Sequence, residues 1–393
     1  MARPQAGGCG EAKEGEGDET MRIAIVTGSR ADRGALEMVD KALGGMRGGC
    51  HWISVDPEDL GDDGRPYEVL SPEDAVTGAT VAACHIASEL AEQFSDKEMV
   101  ILHGDRYEIL GAAMGANIMG IPIAHIGGGD ITEGSQDDCF RHAVTKLSHL
   151  HFPTNQDAAD RIIQMGEQPD RVHVVGDSGI DRVMQTPLLG HDETFAAVGL
   201  ATPVRILLVS FHSNTLSDIG PELDALATAL RARPAGTAMV LIGPNADAGN
   251  DMIRAEWQSL AGTQLDVVYH EDLPAQVYLS LMRWCDVMVG NSSAGLIEAP
   301  LFKLPFVNIG DRQRGRPQCS PIVNCEPVAG QIIECIERCL DVGKPKHPSM
   351  NLYGDGHAAE RIAKIIGGIE DPKALLRKRF QSCRGMKACL IDR

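Results

Sequence analysis

The chain has no apolar run approaching the roughly 18 to 20 uncharged residues that a membrane-spanning helix needs. Its first twenty residues also lack the charged, apolar and cleavage regions of a secretory signal. The expectation is a soluble, cytoplasmic protein with no membrane partner. Basic charge is scarce too: 36 Lys and Arg stand against 55 Asp and Glu, a formal net charge of -19. Indiscriminate phosphate binding requires a basic surface, so no nucleic-acid partner is expected, and any phosphate must be met at a local site. The eleven cysteines form no CxxC pair and no Cys/His cluster at zinc spacing. They read as reduced thiols, without disulfides or a structural metal. A GxGxxG fingerprint after the first strand is missing, which withdraws support from hydride chemistry, and no cofactor is expected. No repeat of solenoid period appears.

What is present suits two ordinary domains: 393 residues, 43% of them hydrophobic, can bury two cores. Residues 1–20 are rich in Gly and Glu and carry almost no large apolar side chain, so a disordered tail is expected there. From residue 21 onward, short β-branched runs alternate with helical patterns. Strands are expected near 23–27, 99–102, 122–126 and 172–175, and His149 and His151 alternate with Leu150 and Phe152 as structural strand residues. Pro, Gly and acidic residues interrupt both periodicities over 186–203, where a linker is expected between a first domain (21–185) and a second (204–370). Strands then recur near 205–210, 238–242, 265–269, 286–289 and 305–309, and a helix over 371–393 is expected to pack back on the first domain. The fold class is α/β, two doubly wound Rossmann-like domains with a cleft between them. Ligands of such sheets lie beyond the carboxyl ends of the strands, so the residues just past each strand come forward.

After the first strand comes Thr27-Gly28-Ser29-Arg30-Ala31-Asp32-Arg33-Gly34. A glycine at a strand end followed by a helix N-terminus can seat a phosphate, and Arg30 would add a planar fork. The bare pattern is equally a turn with surface arginines. The next two strand ends are His103-Gly104-Asp105-Arg106-Tyr107-Glu108 and His125-Ile126-Gly127-Gly128-Gly129-Asp130, followed by Glu133, Asp137, Asp138, Arg141 and His142. Acids and imidazoles in that concentration suit proton transfer, while His103, Asp105 and His125 leave a metal open as the lesser alternative. Local pairing of Asp138 with Arg141 and His142 at helical spacing explains part of the cluster without any ligand. The three glycines suggest a backbone closely approached by a ligand.

In the second half, His212 follows a strand, and Asn245 and Asp247 lie in a turn that is also a plain helix cap. Gly290-Asn291-Ser292-Ser293-Ala294-Gly295-Leu296-Ile297-Glu298 runs from a strand into small hydroxylated residues opening a helix, a seat for a diphosphate, with Glu298 inside the helix to accept ribose hydroxyls. Arg312, Arg314 and Arg316 then cluster past another strand end, and in so acidic a chain they read as a phosphate clamp.

Taken in order, the segments VTGSRADRG, HGDRYEILGAA, HIGGGDITEGSQDDCFRHAVTKLSHLHF, PNADAGND and GNSSAGLIEAPLFKLPFVNIGDRQRGR resemble the hydrolysing UDP-N-acetylglucosamine 2-epimerases. That family comprises the enzymes of bacterial sialic acid synthesis and the epimerase half of the animal bifunctional epimerase/kinase. The resemblance implies a glycosyltransferase-B type fold, usually oligomeric, acting on a UDP-sugar substrate. It also implies anti elimination of UDP through loss of the C2 proton, then addition of water to the resulting 2-acetamidoglucal to give N-acetylmannosamine. Carried over by position, it implies a nucleotide site of Arg30, Arg106, His212, Asn245, Ser292, Ser293, Glu298 and Arg312, and acid/base candidates Asp105, His125, Asp130 and Asp137. The chain departs from the pattern at Gly34, where some relatives have serine. It departs again at Gly127, where relatives carry Glu or His, and at Asp130 in place of the usual glutamate.

Overall fold

A computed structural model describes residues 21–382 apart from positions 29, 48–49, 56–74, 133–135, 202–204, 214–218, 245–249 and 347–350. Strands β1 (Ile23–Thr27), β2 (His51–Ser54), β3 (Met99–His103), β4 (Ile123–Ile126) and β5 (Leu150–Phe152) form one sheet in the order β2-β1-β3-β4-β5. A second sheet holds β6 (Arg205–Ser210), β7 (Thr237–Ile242), β8 (Val267–His270), β9 (Val287–Gly290), β10 (Phe306–Ile309) and β11 (Ile322–Cys325) in the order β11-β10-β9-β6-β7-β8. Every pairing in both is parallel, for example Ile25 with Trp52 and Ile101. The chain starts each sheet in the middle and reverses direction once, between β1 and β3 and between β6 and β9. At such switch points the flanking connections diverge and leave a crevice at the carboxyl edge.

The helices are α1 (Arg30–Arg47), α2 (Ala75–Phe94), α3 (Tyr107–Ile118), α4 (Asp137–Leu147), α5 (Gln156–Gln164), α6 (Ser178–Gln185), α7 (His191–Ala197), α8 (Gly220–Arg231), α9 (Asn250–Thr263), α10 (Ala275–Trp284), α11 (Ala294–Ile297), α12 (Ala329–Val342) and α13 (Ala358–Gly367). Strand β1 is buried throughout, as a strand covered on both faces must be. Its Ile23 and Ile25 pack with Leu36, Val39 and Leu43 of α1, while Ala24 and Val26 pack on the other face with Ile86, Leu90 and Phe94 of α2 and Ile109 of α3. The second sheet repeats the arrangement, with Leu207 and Val209 toward α8, α9 and α12, and Ile206 and Leu208 toward α7 and α10. Among the described residues, no helix is long and apolar enough to cross a membrane.

Several boundaries differ from expectation. The segment expected as a linker contains α7, whose Phe195, with Val198 and Leu200 beyond it, fills the core of the second sheet. Its acidic residues cap the helix instead of breaking it, Gly190 N donating to Glu193 at 3.0 Å. Residues 358–367 fall within the expected second domain, yet Ala359, Ile362, Ala363 and Ile366 of α13 pack into the first core against α1. Val172–Val175 forms only an isolated bridge to β5. Beyond α13 the described residues form one 3-10 turn, Pro372–Leu376, and then chain without regular structure to residue 382. The described part of that segment lies on the first domain, but its backbone donors bond outward, Gln381 N to Gly166 O and Arg379 N to Gln168 Oε1, so no α-helix forms among the described residues there. The tail over 1–20 and residues 383–393 lie outside the described residues.

Candidate active site

Arg141 organises the first-domain half. It is 2% exposed on α4 and pairs with Asp105, just past β3. It also donates to the Asp130 carbonyl at 2.9 Å, Thr132 Oγ1 at 3.0 Å and Asp138 Oδ1 at 3.2 Å. Thr132 N closes the ring on Asp138 Oδ1 at 2.6 Å. Burial opposes charge on Asp105, but Arg141, then Arg316 and His103, hold its carboxyl below the usual range. The expected Asp138–Arg141 pair on one helical turn is therefore real, and it is one spoke of a larger hub.

The other first-domain candidates differ in placement. Asp130 is 7% exposed and receives Thr154 Oγ1 and Asn155 Nδ2, each at 3.4 Å. Asp137 is half-buried in the first turn of α4. His125 is fully buried: Nε2 bonds the Gly104 carbonyl at 3.0 Å and Nδ1 meets Thr145 Oγ1 at 3.2 Å. Burial pushes its pKa down to about 3, leaving a neutral ring that supports the turn carrying Asp105. His103 bonds Asp32 Oδ1 at 2.9 Å. Burial works against its charge, but Asp32, then Asp177 and Asp105, raise its pKa above the ordinary value. His103, Asp105 and His125 thus turn to three different partners, and among the described residues no group of three is placed to hold a metal. The glycines before Asp130 answer to packing: a Cβ on Gly128 would stand 2.8 Å from both His125 Nδ1 and Thr145 Oγ1, and one on Gly129 would stand 2.8 Å from Ile162. Arg106 donates to the buried Glu108 at 3.2 and 3.1 Å.

In the second half, Asn291 ties the ends of β6 and β9 together. Its Oδ1 accepts from His212 N at 2.8 Å and its Nδ2 donates to His212 O at 2.9 Å. Arg312 Nη1 and Gln313 Nε2 donate to the Asn291 carbonyl at 3.2 and 2.9 Å. The ring of His212 lies 3.5 Å from Ser210 Oγ. Ser292 and Ser293 precede α11, Ser292 Oγ accepting from Ala294 N at 3.4 Å. Helix α11 spans only four residues, so Glu298 stands at its end, before a 3-10 turn containing Pro300, and not inside a helix as expected. Burial, then the charge of Asp177, lifts the Glu298 carboxyl to about 7, against the pull of Arg182. Asn245 and the side chain of Arg30 lie outside the described residues.

Three residues outside the expected set join the halves. Asp177 caps α6, accepting from Gly179 N at 2.7 Å, and burial raises its pKa against the pull of His103. Arg316 reaches from the second domain to act on both Asp105 and Asp177, and its Nε is buried with no partner among the described residues. The arginine cluster at 312–316 pointed to it; Asp177 had only the small-residue turn Gly176-Asp177-Ser178-Gly179 as a signal. Arg182 is the third. An open cavity of about 420 Å³ is lined by Thr154 and Asn155, the two residues that bond Asp130, and by Val174, Pro317 and Leu352.

The sequence and the fold both have counterparts among known proteins. The chain is 30% identical to the UDP-N-acetylglucosamine 2-epimerase of Neisseria meningitidis serogroup B, covering 91% of this chain and 98% of that one. It is 29% identical, over the same shares, to the hydrolysing UDP-N,N'-diacetylbacillosamine 2-epimerase of Legionella pneumophila. The crystal structure of the Neisseria meningitidis UDP-GlcNAc 2-epimerase bound to UDP-GlcNAc superposes with a TM-score of 0.72 at 17% identity, covering 88% of this chain and 99% of that one, and shares the fold. Residues 67–367 match the family model described as UDP-N-acetylglucosamine 2-epimerase. The chain belongs to that family of UDP-sugar 2-epimerases.

Proposed function

We propose that the protein is a hydrolysing 2-epimerase that converts UDP-N-acetylglucosamine and water to N-acetylmannosamine and UDP, serving sialic acid synthesis. The observation that carries this reading is the Asp105–Arg141 pair at the end of β3, with Asp130 and Asp138 on the same arginine and Arg316 facing them from the other domain. Removing the C2 proton requires an ionised base beside the sugar, and expelling UDP requires fixed cations at the developing diphosphate charge. Asp105, kept ionised, takes the first role, with Asp130 and Asp137 as the neighbouring acids that return a proton to C2. Losing the C2 proton together with the C1–O bond gives the 2-acetamidoglucal and free UDP. Water then adds across the double bond, its oxygen to C1, and C2 is protonated from the opposite face. Ser292, Ser293, Glu298, His212 and Arg312 are assigned to the nucleotide, and the resemblance to the family adds Arg30, Arg106 and Asn245 to that role. His125 acts through the Gly104 carbonyl as a positioning residue.

A second reading keeps the chemistry and changes the sugar to a 2,4-diacetamido-2,4,6-trideoxy hexose. The Legionella relative and the partly apolar cavity lined by Thr154 and Asn155 favour it. Incubating the enzyme with each sugar nucleotide and comparing kcat/KM for release of the free sugar decides between them. Return of an epimerised UDP-sugar in place of free UDP would contradict both.

A further inference from the structure

Arg182, on α6, is half-buried, and among the described residues its guanidinium has neither an ion-pair partner nor a hydrogen-bond acceptor. In a chain carrying a net charge of -19, acidic partners are abundant, so a half-buried arginine left without a direct one stands out. Its placement is specific. Gly34, on α1, is buried, and a Cβ built there would fall on the Arg182 guanidinium, 2.6 Å from Cζ and 2.9 Å from Cδ. The absent side chain of Gly34 is thus the space through which Arg182 passes. On its far side the same charge acts on Glu298 of the second domain. The guanidinium therefore stands between the start of α1, which follows the switch-point strand β1, and the carboxylate on the nucleotide side of the cleft.

We infer that Arg182 is a diphosphate-binding residue of this enzyme, admitted to the cleft by Gly34. The inference rests on the proposed nucleotide site. A planar guanidinium with five donors and no acceptor among the described residues matches the acceptor-only oxygens of a diphosphate bridging the two domains. A cation there also stabilises UDP as it leaves, so it contributes to turnover as well as to binding.

The test is calorimetric titration of the full chain with UDP and with uridine. Arg182→Ala and Arg182→Gln should each weaken UDP binding about tenfold to a hundredfold, the range for charge-assisted hydrogen bonds, and leave uridine binding unchanged. Gly34→Ala, which takes the space of the guanidinium while leaving Arg182 in the chain, should reproduce that loss. The double variant Gly34→Ala/Arg182→Ala should be no worse than either single one, since both remove the same contact. Thermal unfolding identifies any variant that loses its fold; the charge-free, polar Arg182→Gln is then the deciding one. Unchanged UDP affinity in Arg182→Gln overturns the inference. So does an equal loss for uridine and UDP, because Arg182 would then act through Glu298 on the nucleoside. Wild-type protein that fails to bind UDP would instead remove the proposed nucleotide site itself.

Discussion

Asp105, just past β3, and the buried Arg141 on α4 are 36 residues apart in the chain and form a partly buried ion pair that sets the geometry of the first-domain half of the cleft. Arg141 fixes the carboxylate in place and in its ionised form. Asp105→Asn should therefore retain UDP binding and lose turnover about 100-fold or more, the scale of a missing proton-transfer group. Arg141→Met removes the largest influence lowering the Asp105 pKa, so that pKa should rise, and the acid limb of the pH–kcat profile should move to higher pH. Steady-state kinetics from pH 4 to 9 measure both; an unmoved acid limb would show that Asp105 is not the base.

Glu298 makes a pH-dependent prediction on the nucleotide side. Its carboxyl titrates at about 7 in the free protein, chiefly through burial. A ribose hydroxyl donating to it selects the ionised form, so UDP binding should release a proton and strengthen as pH rises through about 7. Glu298→Gln should flatten this dependence and weaken UDP binding by about 1 to 3 kcal/mol at high pH. Calorimetry in buffers of different ionisation enthalpy detects the proton, and no difference between wild type and variant would take Glu298 out of the site.

Glu167 supports α4 from behind. Its 1%-exposed carboxylate meets Lys146 Nζ at 2.5 Å, Lys378 Nζ at 2.8 Å and His151 Nε2 at 3.1 Å. Burial raises its pKa, but hydrogen bonds from His151, Lys146 and Lys378 outweigh this and bring it from the ordinary 4.5 to about 2. A depressed folded-state pKa contributes stability that is present above 4.5 and is lost as pH falls toward 2. Glu167→Gln should destabilise by about 1 to 3 kcal/mol at neutral pH and flatten that acid-side slope, because it replaces charge-assisted hydrogen bonds to two partly exposed lysines and His151 with neutral ones. Denaturant unfolding at pH 7 and at successively lower pH gives both values.

The central strands were legible because β1, β3, β6 and β9 are unbroken apolar runs ending in Gly, His or small polar residues. Edge strands β2 and β11 were not, since His51–Ser54 and Ile322–Cys325 are only partly buried and carry polar residues. The amphipathic face of α13 is visible in the sequence, but its choice of the first sheet depends on a chain reversal that periodicity does not encode. Asp105 and Asp130 come forward from the sequence because they follow strand ends, and the Asp138–Arg141 pair because of its helical spacing, though only as a local ion pair. The burial of His125 was missed because a histidine at a strand end looks the same whether it faces a cleft or a carbonyl. The triple glycine suggested a ligand, whereas at Gly128 and Gly129 it accommodates His125, Thr145 and Ile162. Asp177 and Arg182 gain their meaning only from the opposite domain, which local sequence cannot show.

The most direct test of the account is proton NMR of the enzyme acting on UDP-N-acetylglucosamine in heavy water. Abstraction at C2, loss of UDP and protonation from the opposite face predict free UDP and N-acetylmannosamine carrying deuterium at C2, with the signal lost in Asp105→Asn. N-acetylmannosamine that retains its original C2 proton, or undiminished turnover in Asp105→Asn, would contradict it.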